Sequence, residues 1–211
     1  MTYTLFYAPG TASMAVHWML IELGAPLELV RVDFEAGDQR DPAYLKLNPA
    51  GRVPTLVVDG RPYSESAALL MLLAERHPRA GLAPAPAAPD RAKWLETMLF
   101  LANTVSPAFR DWFYANKDGD PAGAEAVRAL ARSRIEGAWD RLDAQLADSE
   151  AYLFGDRPGA VDFLAAMLMR WSRNMPGPAN QWPALAGYVG RMADLPSFHE
   201  LCDREGIAPW P

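Results

Sequence analysis

"NPAGRVPTLVVDGRPYSESAALLMLLAERHP", residues 48–78, runs from a proline-flanked turn through a hairpin into a helix and decides the fold of the first part of the chain. Pro54 has no N–H to give to a ladder, so it suits the first residue of a strand better than its interior. "TLVV" is a short apolar run, and Asp59-Gly60 is a two-residue hairpin signal that returns the chain along it. Ser64-Glu65-Ser66 then stands at the mouth of a helix with Ala67, Leu70, Met71 and Ala74 on one face, ended near His77-Pro78. The stretch predicts strand, strand, helix.

Upstream, "YTLFYA" predicts an aromatic-rich strand, and Ala15, Trp18, Met19 and Leu23 predict a helix over 12–23 that Gly24 stops. "LELVRVDF" is a second strand, and "PAYLKL" a short helix ended at Asn48-Pro49. The order β-α-β-α-β-β-α predicts a small mixed sheet with helices on both faces. Downstream, "AGLAPAPAAP" at 80–89 resists regular structure and reads as a linker. Beyond it the spacing is helical. Leu95, Met98, Leu99, Ala102 and Val105 form one stripe, with Pro107 expected to kink or break the helix. Leu130, Ile135, Trp139, Leu142 and Leu146 form a second stripe, and Leu164, Met167, Leu168 and Trp171 a third. Shorter helices follow Pro183 and Pro196. The predicted organisation is an α/β domain over 1–79, a linker over 80–89 and an all-helical domain over 90–211.

Composition excludes several function classes. The chain has 211 residues, half of them apolar, and a formal charge of -6 with Lys and Arg scattered singly. It offers no basic stripe for phosphates, so nucleic acid is not an expected partner. No segment approaches the roughly 20 apolar residues of a membrane span. "MTYTLFYAPG" lacks the features of a signal peptide, so a cytoplasmic location is expected. Cys202 is the one cysteine, which excludes an intramolecular disulfide, a CxxC pair and a cysteine-based metal site. His199, near Glu200 and Cys202, repeats no ligand spacing, and no metal is expected. Any thiol chemistry must borrow its sulfur.

Three stretches, "YAPGTASMAVHWML", "NPAGRVPTL" and "YSESAALLMLLAERHP", carry a resemblance that covers essentially the whole chain. The sequence resembles a bacterial cytosolic glutathione S-transferase, nearest the beta class. The resemblance implies a thioredoxin-like N-terminal domain with a mixed four-stranded sheet and helices, followed by an all-α C-terminal helical domain. It also implies a homodimer, glutathione as co-substrate, and a small electrophile as the second substrate. The resemblance further implies a cis Val53-Pro54 bond, which would present the Val53 backbone to an extended peptide, as in strand addition; a trans proline that merely starts the strand is the alternative. Glu65 and Ser66 correspond to residues that hold the γ-glutamyl ammonium and carboxylate, at a helix N-terminus suited to an anion. Ser64 or Ser66 would serve equally as an ordinary N-cap. Arg52 could reach the glycyl carboxylate or stand solvated in its loop.

The chemistry implied is ionisation of the bound thiol. At a reference pKa of about 8.5 only roughly 3% is thiolate at pH 7. Lowering that pKa by two units requires about 2.7 kcal/mol of preferential stabilisation of the anion. The cysteine that the beta class places after Pro-Gly is Ala12 here, and its histidine on the first helix of the second domain matches Ser106. The resemblance makes Ser13, which matches the serine that follows the beta-class cysteine, the first candidate activator, and Thr11, which stands where hydroxyl-dependent classes place theirs, the second; each is also able to act as a plain N-cap. His17 reads as a packed core histidine. Phe109, Arg110, Trp112 and Phe113 are candidates for the electrophile pocket, with core or dimer packing as the competing reading. Two other functions stay open at this point: a glutathione-dependent disulfide reductase or peroxidase, and a non-catalytic protein-interaction module on the same fold.

Overall fold

A computed structural model describes residues 2–118, 120–148 and 151–210. The chain divides into two compact units, Met1–Ala83 with Ala193–Pro211, and Pro84–Met192.

The first unit is built on four strands: β1 (Tyr3–Tyr7), β2 (Leu27–Arg31), β3 (Thr55–Val58) and β4 (Arg61–Ser64). Their order is β2-β1-β3-β4, with β1 and β2 parallel and both other pairs antiparallel. The parallel pair needs a crossover, which α1 (Met14–Glu22) supplies. Asp59 and Gly60 both take positive φ, 51° and 77°, as a two-residue turn matched to strand twist requires. β2 stops at Arg31, short of "VDF", because Asp33 turns the chain by accepting the N–H groups of Glu35 and Ala36. α2 (Pro42–Leu47) is capped by Asp41, and α3 (Ser66–Arg76) follows β4 directly. Every residue of α1 from Met14 to Leu20 is buried, so this helix is apolar nearly all round.

What covers α1 comes from the far end of the sequence. α9 (Pro196–Glu205) packs on it: the Trp18 indole N–H donates to Ser197 Oγ at 3.0 Å, and the Trp18 and Phe198 rings lie 4.8 Å apart. Trp210 adds a further ring against Phe198. A boundary drawn at residue 90 groups α9 with the helical half, whereas its packing partner is α1.

The second unit contains α4 (Arg91–Phe100), α5 (Ser106–Tyr114), α6 (Ala124–Ala147), α7 (Ala160–Trp171) and α8 (Pro183–Ala193). Pro107 neither breaks nor sharply ends the α4–α5 run. Its missing N–H is absorbed by a π turn over Leu101–Val105, in which the Ser106 N–H reaches Leu101 O. α7 is buried from Ala160 through Arg170 and forms the centre of this unit. Asp162 starts it: its carboxylate accepts the N–H groups of Gly159 (2.8 Å) and Leu153 (3.1 Å) and the Tyr188 hydroxyl (2.9 Å). Glycine at 159 has no side chain to complete the reciprocal half of a capping box. Leu99 and Leu130, expected in the core, are about half exposed. The buried stripe of α6 runs through Ala131, Ile135, Ala138, Leu142 and Leu146, which leaves Leu130 on the adjoining face. No helix among the described residues is long and apolar enough to cross a membrane.

Candidate functional site

The site candidates of the first unit gather on the ends of β3, α1 and α3. Below the turn that enters β3 lies a polar knot. The Tyr44 hydroxyl donates to Arg52 O at 2.6 Å and meets Thr55 Oγ1 at 2.9 Å; Asn48 Nδ2 donates to the same two oxygens at 2.8 and 3.0 Å. Burial pushes the Tyr44 phenol above its ordinary pKa, which keeps it a donor. The inward polar groups of the turn are thus satisfied, and its rim falls to the cis Val53-Pro54 peptide. The Val53 N–H and C=O enter no hydrogen bond within the described residues. Val53 and Pro54 are themselves buried, while Arg52 is exposed.

Glu65 stands between β4 and α3 with φ 73° and ψ 106°. A non-glycine residue there is strained by roughly 1–3 kcal/mol. The first N–H groups of α3, as at any helix start, have no carbonyl four residues earlier to accept them. The Glu65 side chain is exposed beside them and makes no capping bond. Ser66 Oγ does not face solvent as a donor; it gives its proton to Ala12 O at 2.8 Å. That bond ties the start of α3 to the start of α1.

At the start of α1 the turn 8–13 closes on a single carbonyl. Ala8 O accepts from Thr11 N (3.3 Å), Thr11 Oγ1 (2.7 Å) and Ser13 Oγ (3.1 Å). Ser13 Oγ also accepts the Ala8 N–H at 3.2 Å, and Ser13 is fully buried. Ser13 braces the turn from inside, and Thr11, partly exposed, is the hydroxyl nearer the surface. Thr11 can turn its proton outward without stranding Ala8 O, which keeps two other donors.

Sequence reading placed His17 in the core without its partner. Its Nδ1 lies 2.8 Å from Glu205 Oε1, and Glu205 Oε2 accepts the Gly10 N–H at 2.8 Å. Both side chains are fully buried. Nothing local in the sequence pairs residues 188 positions apart.

The four electrophile-pocket candidates lie on α5 in the second unit and do not share one environment. Phe109 is fully buried, with its ring centroid 6.1 Å from that of Trp139, 5.7 Å from Trp171 and 6.0 Å from Phe113. Phe109 is core, so its assignment to a pocket wall is corrected. Arg110 pairs with Asp118 at 2.6 Å and lies over the Tyr114 ring. Trp112 is half-buried, and Phe113 is half exposed with its ring edge-on to Trp171. No group of three metal-ligating side chains occurs among the described residues.

Residues 1–75 match the family model for the glutathione S-transferase N-terminal domain, and residues 125–191 that for the C-terminal domain. A relative from Xanthomonas campestris pv. campestris, glutathione S-transferase GST-4.5, is 31% identical over 96% of this chain and 98% of its own. Glutathione S-transferase GstA of Escherichia coli O157:H7 is 29% identical over 96% and 98%. The solved structure of a sphingomonad glutathione S-transferase complexed with glutathione superposes with a TM-score of 0.83 at 31% identity, covering 97% of this chain and 100% of that one. A chain this similar over its full length, with the same two domain types in the same order, belongs to the glutathione S-transferase family.

Proposed function

We propose that this chain binds glutathione in its first unit and activates the thiol for attack on a small electrophile. The observation that carries the reading is the Ser66–Ala12 hydrogen bond, which holds the N-termini of α3 and α1 together. Each helix end is positive, and the first N–H groups of α3 have no carbonyl four residues earlier to accept them. Glutathione has an anion to offer both: the γ-glutamyl carboxylate for α3 and, once ionised, the sulfur for α1.

In this reading the Val53 backbone pairs with the peptide of glutathione, Glu65 takes the α-ammonium, and the N–H groups at Ser66 take the carboxylate. Arg52 lies on the same rim and receives the glycyl carboxylate. Thr11 swings its hydroxyl from Ala8 O to the sulfur, and the α1 amides complete the stabilisation of the thiolate. The thiolate then attacks the electrophile, forming a carbon–sulfur bond while the leaving group departs or the acceptor takes up a proton. In the second unit, Phe113 presents half-exposed apolar surface edge-on to the Trp171 ring. A homodimer is part of the same proposal, and the exposed Leu99 and Leu130 offer apolar surface for it.

Thermal unfolding with added glutathione, read together with thiolate absorbance, tests the reading. Glutathione at 100 times its Kd should add about 2.7 kcal/mol of stability. No shift at millimolar glutathione rules it out.

A further inference from the structure

We propose that Glu205, on the last turn of α9, is a positioning residue that fixes the Gly10–Ser13 turn and thereby the ionisation of a thiol bound there. The proposal rests on the glutathione reading above. A carboxylate in the last turn of a helix is disfavoured by the helix dipole, and a buried one is costly unless its oxygens are paired. Glu205 accepts both penalties, with its side chain fully buried at the C-terminus of α9. Each of its oxygens has a donor: Oε1 takes His17 Nδ1–H and Oε2 takes the Gly10 N–H, both at 2.8 Å.

Gly10 holds φ at 67°, a conformation that favours glycine, and it is the residue before Thr11. Its N–H belongs to the Pro9–Gly10 peptide, so the bond to Glu205 fixes the plane on the N-terminal side of Gly10, one residue before Thr11. Ser13 holds the other side of the turn through Ala8. The turn is therefore clamped at two places, and Thr11 lies between them. The His17 ring, packed 5.6 Å from the Tyr7 ring, sets the carboxylate rather than the turn. His17 Nε2 has no hydrogen-bond partner among the described residues, so its proton belongs on Nδ1, facing Glu205.

Position and charge predict opposite signs. Removing a negative charge near the sulfur lowers a thiol pKa, whereas loosening the donors that stabilise the thiolate raises it. Glu205→Gln keeps the shape of the side chain and removes the charge. Glutathione titrations with thiolate absorbance across pH, and kcat and KM at neutral pH, should be compared in wild type, Glu205→Gln and His17→Asn. In Glu205→Gln the bound thiol should titrate about one unit higher and kcat near neutral pH should fall about tenfold, with KM for glutathione within about twofold. Amide exchange at Gly10–Ser13 should quicken. His17→Asn, whose amide donates from the place of Nδ1, should keep the wild-type thiol titration. If Glu205→Gln fails to fold, His17→Leu leaves Oε1 without its donor and should give the same rise. An unchanged or lowered thiol pKa in the folded variant overturns the proposal. A rise in KM alone does so too, because that is what a merely structural role produces. A wild-type protein that does not respond to glutathione overturns the underlying reading, and this proposal with it, before any variant is made.

Discussion

The Ser66 hydroxyl spans 54 positions of sequence to donate to Ala12 O at 2.8 Å. One proton thus joins the helix end assigned to the γ-glutamyl group to the helix end assigned to the sulfur. Ser66→Ala should loosen both, raising KM for glutathione about tenfold with a smaller change in kcat. The lost hydrogen bond should lower stability by about 1 kcal/mol. Ser66→Thr should restore most of each. An unaltered KM in Ser66→Ala would exclude the clamp.

Thr11 and Ser13 share Ala8 O and lie 3.1 Å apart at their hydroxyls, but only Ser13 Oγ also accepts the Ala8 N–H, and this sets the two variants apart. Thr11→Val should leave stability nearly unchanged and raise the pKa of the bound thiol by about one unit, a tenfold loss of thiolate at neutral pH. Ser13→Ala strands the buried Ala8 N–H, which costs about 1–3 kcal/mol, read as a fall in urea midpoint. Its effect on the thiol should be the lesser of the two. The reverse ranking, a large thiol shift in Ser13→Ala with full stability, would return the activator role to Ser13.

The placement of these two hydroxyls shows where sequence reading stops. "GTAS" announces hydroxyls at the start of a helix, since residue type and local spacing are enough for that. Which of the two faces inward depends on how the turn closes on Ala8, and neither hydroxyl carries a local mark of it. The succession of elements along the first unit, the hairpin and the ends of α2 and α3 were legible because each is set by Pro, Gly or an apolar period within a few residues. The cover of α1 by α9 and the His17–Glu205 pair were not, because they depend on contacts between the two ends of the chain. Leu130 fits a helical stripe by count and still lies outside it, since a stripe one residue wider satisfies the same spacing.

Glu65 offers a trade between stability and binding. Its φ of 73° favours glycine, and its side chain makes no capping bond. Glu65→Gly should relieve strain and leave stability equal or higher, by up to about 1 kcal/mol, while removing the acceptor for the glutathione ammonium. The expected outcome is a Tm no lower than wild type together with a KM for glutathione raised tenfold or more, of order 1.4 kcal/mol. A variant that is less stable and binds normally would make Glu65 a structural residue with no part in the site.

Asp162 ties the stability of the second unit to pH. Burial raises its carboxyl from an ordinary 3.8 to about 6, against the opposing effect of hydrogen bonds from Gly159, Leu153 and Tyr188. The folded chain therefore holds this proton over a range in which the unfolded chain has lost it. The stabilisation is fully present below pH 3.8 and is lost as pH rises through about 6. Across that window the change amounts to roughly 3 kcal/mol at most. Asp162→Asn removes the titration but turns an amide N–H₂ toward one of the backbone donors, so it should cost about 1–3 kcal/mol in the acid range. The difference between wild type and variant should accordingly shrink from pH 4 to pH 7 in urea unfolding. Parallel pH profiles for the two proteins would show that Asp162 titrates alike in the folded and unfolded chains, and that its three donors offset its burial in full.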